Sequence, residues 1–187
     1  MTEAPTPYVL DADTMTGGMR PIRQALIAIG SNLGDRLQRL QGGVDAIGDT
    51  PEVQIVAVSS VYETDPVDSP PDSGKYLNAV ILIDTTLTVH QLLDRALAIE
   101  DAFGRDRSVK NAPRTLDVDL IVVGQRVADD DKLTLPHPRA HERAFVLVPW
   151  LEVDPEGEIP GHGFVADLIG GVDTSGIRKR EDLELIL

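Results

Sequence analysis

Two aspartates, Asp117 and Asp119, interrupt an otherwise apolar run, PRTLDVDLIVVG, from Pro113 to Gly124. Read as a β-strand, the run alternates. Leu116, Val118 and Leu120 face a core, and the carboxylates share the other face, about 6.6 Å apart along the backbone. Like charges side by side on a half-buried strand repel, and a divalent cation held by both removes the repulsion. Arg114 lies three residues before Asp117, so the cluster suits metal-bound phosphate; an ion pair at a strand entrance is the ordinary alternative. Upstream, FGRDRSVKNAPR gathers Arg105, Arg107, Lys110 and Arg114. That stretch is either a solvated basic loop or a mobile cationic loop that neutralises and encloses a polyphosphate.

Other candidates are weaker one by one. LTLPHPRAHERAF places His137 between prolines, followed by Arg143 and Phe145, although a lone histidine is commonly a surface residue. Tyr76 and Asn78 share a strand face, where an aromatic ring and an amide edge would hold a flat heterocycle; a core tyrosine is the plainer reading. GSNLGDR, from Gly30 to Arg36, links strand to helix as phosphate-cradling turns do. It lacks the GKS or GKT ending of a P-loop and the triple glycine of a dinucleotide fold, which favours a simple capped turn. The HER triplet at His141 has no second histidine four residues on, so it is not a zinc-protease helix.

The elements that must carry these residues follow from the hydrophobic pattern. Residues 1 to 21 mix Thr, Pro, Gly and Asp without period and read as a flexible extension, leaving residues 22 to 187 as a single domain. ALIAIG is a short strand, and the spacing Leu33, Leu37, Leu40, Val44, Ile47 predicts a helix weakened by Gly42 and Gly43. VQIVAVSSVYET reads as one long strand, Tyr76 to Asp84 as another, and Thr88 as the N-cap of a helix that Gly104 ends. The aspartate strand follows. Strand, helix, strand, strand, helix, strand predicts an α+β fold with a ferredoxin-like βαββαβ core, a mainly antiparallel sheet with helices on one face. A C-terminal appendage remains: a short strand at QRV, a loop at LTLPHP, a helix from Glu142 to Leu151 cut short near Pro149, and a short helix from Val165 to Ile169.

Composition narrows the partners. With 31 acidic against 17 basic residues and a net charge of −14, most of the surface repels nucleic acid and anionic membrane, so an anionic ligand needs the local basic stretch. No cysteine is present, which excludes disulfides, thiolate metal sites and cysteine nucleophiles and fits a reducing cytoplasm. No apolar run approaches the roughly 20 residues of a membrane span, and no secretory signal is read at the N-terminus.

GSNLGDR, SSVYETDP, YLNAV, the Glu100 to Arg105 pair, PRTLDVDL and LTLPHP-x4-RAF occur in one order that resembles the 6-hydroxymethyl-7,8-dihydropterin pyrophosphokinase family over about residues 24 to 155. The resemblance implies transfer of pyrophosphate from ATP to a pterin hydroxymethyl group, giving AMP, by a monomeric cytoplasmic enzyme of folate synthesis. It implies that Asp117 and Asp119 bind two Mg2+ ions, with Asp119 also orienting or deprotonating the attacking hydroxyl, and that Arg105 and Arg114 join them as catalytic groups. Glu100, Arg105, Arg114, Leu120, Lys132, Thr134, His137 and Arg143 would then contact ATP. Gly30, Thr64, Asp65, Val67, Tyr76, Asn78 and Phe145 would hold the pterin. The chain departs from the family where a Trp and a Gly usually precede PRTLD, since Asn111 and Ala112 stand there, and Pro138 replaces an aromatic residue after His137. Two rival readings are a catalytically weak ATP- and pterin-binding protein and a ferredoxin-like metabolite-sensing module.

Overall fold

The computed structural model describes residues 20–67, 69–70, 72–104, 108 and 115–187. The expected N-terminal extension, save its last two residues, and the basic-loop residues Arg105, Arg107, Lys110 and Arg114 lie outside them. Among the described residues no helix is long and apolar enough to cross a membrane.

Strand β1 (Arg23–Ser31) is the axis of the sheet. Its alternation sends Ala25, Ile27 and Ile29 to one apolar core and Leu26 to another, so both faces are covered. β4 (Tyr76–Thr85) and β5 (Asp117–Val123) flank β1, each antiparallel to it. On the far side of β4 lie β2 (Val53–Val58) and β3 (Tyr62–Thr64), which correct the expected single strand over residues 53 to 64. The break falls at Ser59 and Ser60, whose polar groups satisfy the backbone locally. Ser59 Oγ accepts from the Val80 amide at 2.9 Å, and the Ser60 amide donates to the Glu152 carboxylate.

Both long helices lie on one face, as expected. α1 (Arg36–Gly48) is capped by Asp35, which accepts from the Gln38 amide, so Leu33 falls outside the helix and is 47% exposed. α2 (Val89–Ala102) starts at Thr88 in a reciprocal capping box with Gln91 and buries Val89, Leu92, Ala96 and Ile99. Gly42 and Gly43, expected to weaken α1, allow a close approach instead: a Cβ at Gly42 would stand 2.5 Å from Phe103 Cζ, and one at Gly43 would stand 3.2 Å from Leu116 Cδ2. Alanine normally favours a helix interior by about 1 kcal/mol over glycine. Here Gly42→Ala is expected to lower Tm, because the Phe103 ring must move; a rise in the melting curve would contradict that reading.

The second face is covered by the residues after β5. The expected strand at QRV is not formed, and pairing falls instead on β6 (Ala128–Asp129), just after it, with β7 (Thr134–Leu135), inside the LTLPHP stretch expected to be loop. α3 (Ala144–Val153) begins later than expected and runs through Pro149 rather than stopping there. Proline removes one helix hydrogen bond, but Val146, Leu147 and Trp150 are buried against Leu26, Val80, Leu82 and Ile121, and that packing offsets the loss. A hairpin of β8 (Glu158–Ile159) and β9 (Gly163–Phe164) leads into α4 (Val165–Leu168), close to the expected short helix. The chain then adds a strand the sequence did not announce, β10 (Ile177–Lys179), which pairs with β3. The result is a mixed α and β fold around an antiparallel sheet.

Candidate active site

Three strands set out the site in rows on the face away from α1 and α2. Gly30 of β1 lies between Asn78 of β4 and Asp117 of β5, and Ala28, one step along, lies between Val80 and Asp119. The absence of a side chain at Gly30 leaves room for its polar neighbour on β4. A Cβ at Gly30 would stand 2.7 Å from Asn78 Oδ1, so the glycine is what lets that amide lie there. Asn78 is itself buried, and its Nδ2 donates to Thr64 Oγ1 at 2.7 Å.

Beside Asn78 and Asp117 opens a cavity of about 300 Å3, a volume in the range of small-molecule sites, whose lining does not include Gly30, expected among the pterin contacts. Thr64, Asp65, Val67, Tyr76, Asn78 and Phe145, all expected around a flat heterocycle, line it. Asp117, Asp119, His137 and Arg143 line it too, at the β5 side. A second cavity of about 290 Å3 opens along the outer edge of β5, lined by Glu100, Leu120, Lys132, Thr134 and His137 together with the apolar Leu93 and Leu97. Asp119 and His137 belong to both cavities. The residues expected to contact ATP therefore gather in the second cavity, except Arg143, which lines the first, and Arg105 and Arg114, which lie outside the described residues.

The carboxylates stand closer to a third acid than the sequence suggested. Glu100, Asp117 and Asp119 each offer an oxygen within 4.8 Å of the others. Glu100 is 3% exposed, and its Oε1 accepts from the Val118 amide at 2.9 Å, so it also satisfies the open edge of β5. Hard oxygen donors in this number suit magnesium, which is commonly held by one or two carboxylates and completes its shell with water and phosphate oxygens. The positive side of the site is built by the segment after β7. Arg143 stacks over Phe145 with its guanidinium carbon 5.4 Å from the ring centroid, and its buried Nε has no hydrogen-bond partner among the described residues. Burial and the neighbouring Arg139 lower the Arg143 pKa, against the pull of Asp119, Asp117 and Glu142.

His137 is held at both ends. Its amide donates to the Ile121 carbonyl at 2.8 Å, and its Nδ1 accepts from the Arg139 amide at 3.2 Å, which leaves Nε2 to carry the proton of the neutral ring. Burial, reinforced by Arg143 and Arg139 and opposed by Asp117, brings its pKa down to about 4. Between about pH 6.5 and 4 the unfolded chain accepts a proton that the folded ring refuses, so this group makes stability fall as pH falls through that window. In the metal-free protein the His137 ring resonances are expected to stay constant from pH 8 to about 5 by NMR; an inflection near 6.5 would contradict a buried neutral imidazole. Two lining residues, Arg139 and Ser69, carried no assigned role in the sequence reading. Arg139 was visible as one more cation near His137, but its side chain binds Glu142 at 2.8 Å, and nothing in spacing alone separates it from a surface ion pair. Ser69 had no signal of its own.

Comparison with known proteins agrees with this arrangement. The family model for 7,8-dihydro-6-hydroxymethylpterin-pyrophosphokinase (HPPK) matches residues 26–155. A 2-amino-4-hydroxy-6-hydroxymethyldihydropteridine pyrophosphokinase from Methylorubrum extorquens is 40% identical over 158 residues, 84% of this chain and 99% of that protein. The enzyme of the same name from Pseudomonas aeruginosa is 35% identical over 84% of this chain and 97% of its own length. The Mycobacterium bovis enzyme is 42% identical over 73% of this chain and 75% of its own. Among solved structures, wild-type Plasmodium falciparum HPPK-DHPS with pterin and p-hydroxybenzoate matches with a TM-score of 0.62 at 12% identity, over 82% of this chain and 44% of that one. This chain thus spans less than half of that longer polypeptide, and the likeness speaks for the fold alone. With the family model covering the aspartate strand, both cavities and the segment after β7, the chain belongs to the 7,8-dihydro-6-hydroxymethylpterin-pyrophosphokinase family.

Proposed function

We propose that this chain transfers an intact pyrophosphoryl group from ATP to the hydroxymethyl oxygen of 6-hydroxymethyl-7,8-dihydropterin, giving AMP and the pterin diphosphate in folate biosynthesis. The observation that carries the reading is the meeting of two cavities at Asp119 and His137, one edged for a flat heterocycle and lined also by Asp117, the other open along β5. The substrate oxygen forms a bond to the β-phosphorus, the bond from that phosphorus to the α,β-bridging oxygen breaks, and AMP leaves with the electron pair. Asp119 orients the hydroxyl and accepts its proton. Tyr76 and Phe145 enclose the pterin ring, and Asn78 with the backbone at Thr64, Asp65 and Val67 reads its polar edge. Lys132, Thr134, His137 and Leu120 hold the nucleotide, with Arg143 and the basic-loop residues Arg105 and Arg114 on its phosphates.

Asp117 and Asp119 would hold two magnesium ions, with Glu100 behind them, and the acidic oxygen set and the Arg143 Nε, without a partner among the described residues, fit such a polyphosphate site. When bound, magnesium neutralises phosphate charge and acts as a Lewis acid. The neutral His137 ring donates through Nε2 without adding a cation beside the arginines. Within this reading the βαββαβ core is of the ferredoxin-like kind with a C-terminal appendage, and the enzyme is a cytoplasmic monomer, as the family resemblance implies. The test is product identity. Turnover followed by 31P NMR should show AMP with a paired diphosphate signal on the pterin; ADP with a pterin monophosphate would refute pyrophosphoryl transfer.

A further inference from the structure

Three guanidiniums converge on one carboxylate beside the larger cavity. Glu63, the central residue of β3, keeps only 12% of its side chain exposed. Arg36 Nη1 lies 3.0 Å and Arg180 Nη1 3.1 Å from its Oε2, while Arg178 Nη2 lies 2.8 Å from its Oε1. The three cations come from two distant parts of the chain. Arg36 ends the GSNLGDR motif, opens α1 and also donates to the Lys75 carbonyl at 2.9 Å, one residue before Tyr76. Arg178 and Arg180 belong to the C-terminal strand and its exit, beyond residue 155 where the family match ends.

The backbone follows the same line. β10 pairs Ile177 with Thr64, Arg178 with Glu63 and Lys179 with Tyr62. The ladder is extended at each end, because the Asp65 amide donates to the Gly176 carbonyl at 3.1 Å and the Arg180 amide to the Val61 carbonyl at 2.8 Å. Past β10 the tail crosses α1, where Gln41 exchanges two hydrogen bonds with the Ile186 backbone at 2.8 and 2.9 Å. β3 has only three residues, and on its other side it pairs with Tyr76 to Asn78 of β4. A strand that short with one partner would fray; between two partners, Thr64 and Asp65 are fixed relative to Asn78.

We infer that Glu63 is a positioning residue: joined to Arg36, Arg178 and Arg180, it clamps the C-terminal strand onto β3 and so sets the pterin side of the site without touching substrate. The inference rests on the pterin reading proposed above. It predicts a one-sided effect, because Thr64 and Asp65, the residues held by this ladder, line the first cavity and not the one along β5. Two variants of the full chain test it, Glu63→Gln, which leaves three cations facing a neutral amide, and the double change Arg178→Ala with Arg180→Ala. The expected result for both is a pterin KM raised about tenfold with ATP KM within about twofold, and faster deuterium exchange at the Asp65 amide. Equal rises in both KM values with a lower Tm would mean a general structural role and overturn the clamp. So would unchanged exchange at Asp65 and an unchanged pterin KM. A wild-type chain that forms no AMP would count against the reaction instead, and exchange at Asp65 would still decide whether the clamp exists.

Discussion

Replacing Asp117 or Asp119 by alanine is expected to lower kcat on the order of a thousandfold, equivalent to about 4 kcal/mol of transition-state stabilisation. The two carboxylates occupy adjacent outward positions on β5, within 4.8 Å of each other and of Glu100, so each removal leaves a cation with one fewer anionic ligand where phosphate charge must be neutralised. The same change should leave the metal-free fold almost untouched. Both aspartates are half-buried and line a cavity rather than the core. Wild-type-like melting with a collapse in kcat is therefore the signature, read by thermal denaturation and steady-state kinetics on the same preparations. A loss smaller than about tenfold would remove the aspartates from the metal site.

Gly30→Val should weaken pterin binding on the order of a hundredfold while leaving ATP affinity within about threefold. The position is ordinary strand backbone, and valine is a good strand former, so the substitution is compatible with β1 itself. The obstacle is lateral. A Cβ there comes 2.7 Å from Asn78 Oδ1 and 3.6 Å from Tyr76 Cδ1, so the amide must turn, the 2.7 Å bond to Thr64 Oγ1 is strained or lost, and the added methyls crowd the Tyr76 ring. The cavity along the outer edge of β5, where ATP is proposed to bind, does not include Gly30. Calorimetric titration of each ligand separates the two effects, and equal loss of both affinities would point to damage to the sheet.

The parts of the fold that the sequence made legible are those with a local cause. Thr88 and Gln91 close a capping box that depends on a three-residue spacing, and the alternation of β5 puts Val118 and Leu120 in the core and the aspartates outside it. The break in the second strand was not legible in the same way. Ser59 and Ser60 leave the ladder because Val80 and Glu152, distant in sequence, supply their partners. The length of α3 depends on burial of Trp150 against strands far away, which outweighs Pro149. β10 has no alternation long enough to announce it, and its partners lie on β3, distant in sequence. At the site, the division into two sets of residues came from the ordered motifs, whereas the convergence of Glu100 on the aspartates and the neutral state of His137 come from packing. The roles given to Arg105 and Arg114, and the effect of Asn111 and Ala112, fall outside the described residues.

Those loop substitutions make one measurement decisive. Purified full-length chain is incubated with ATP, with and without 6-hydroxymethyl-7,8-dihydropterin and with and without magnesium, and AMP is quantified. The account predicts AMP only when pterin and magnesium are both present, in amounts matching the pterin diphosphate formed. ATP that binds yet yields no AMP above background in the complete mixture would contradict it and leave a ligand-binding protein built on this family's fold.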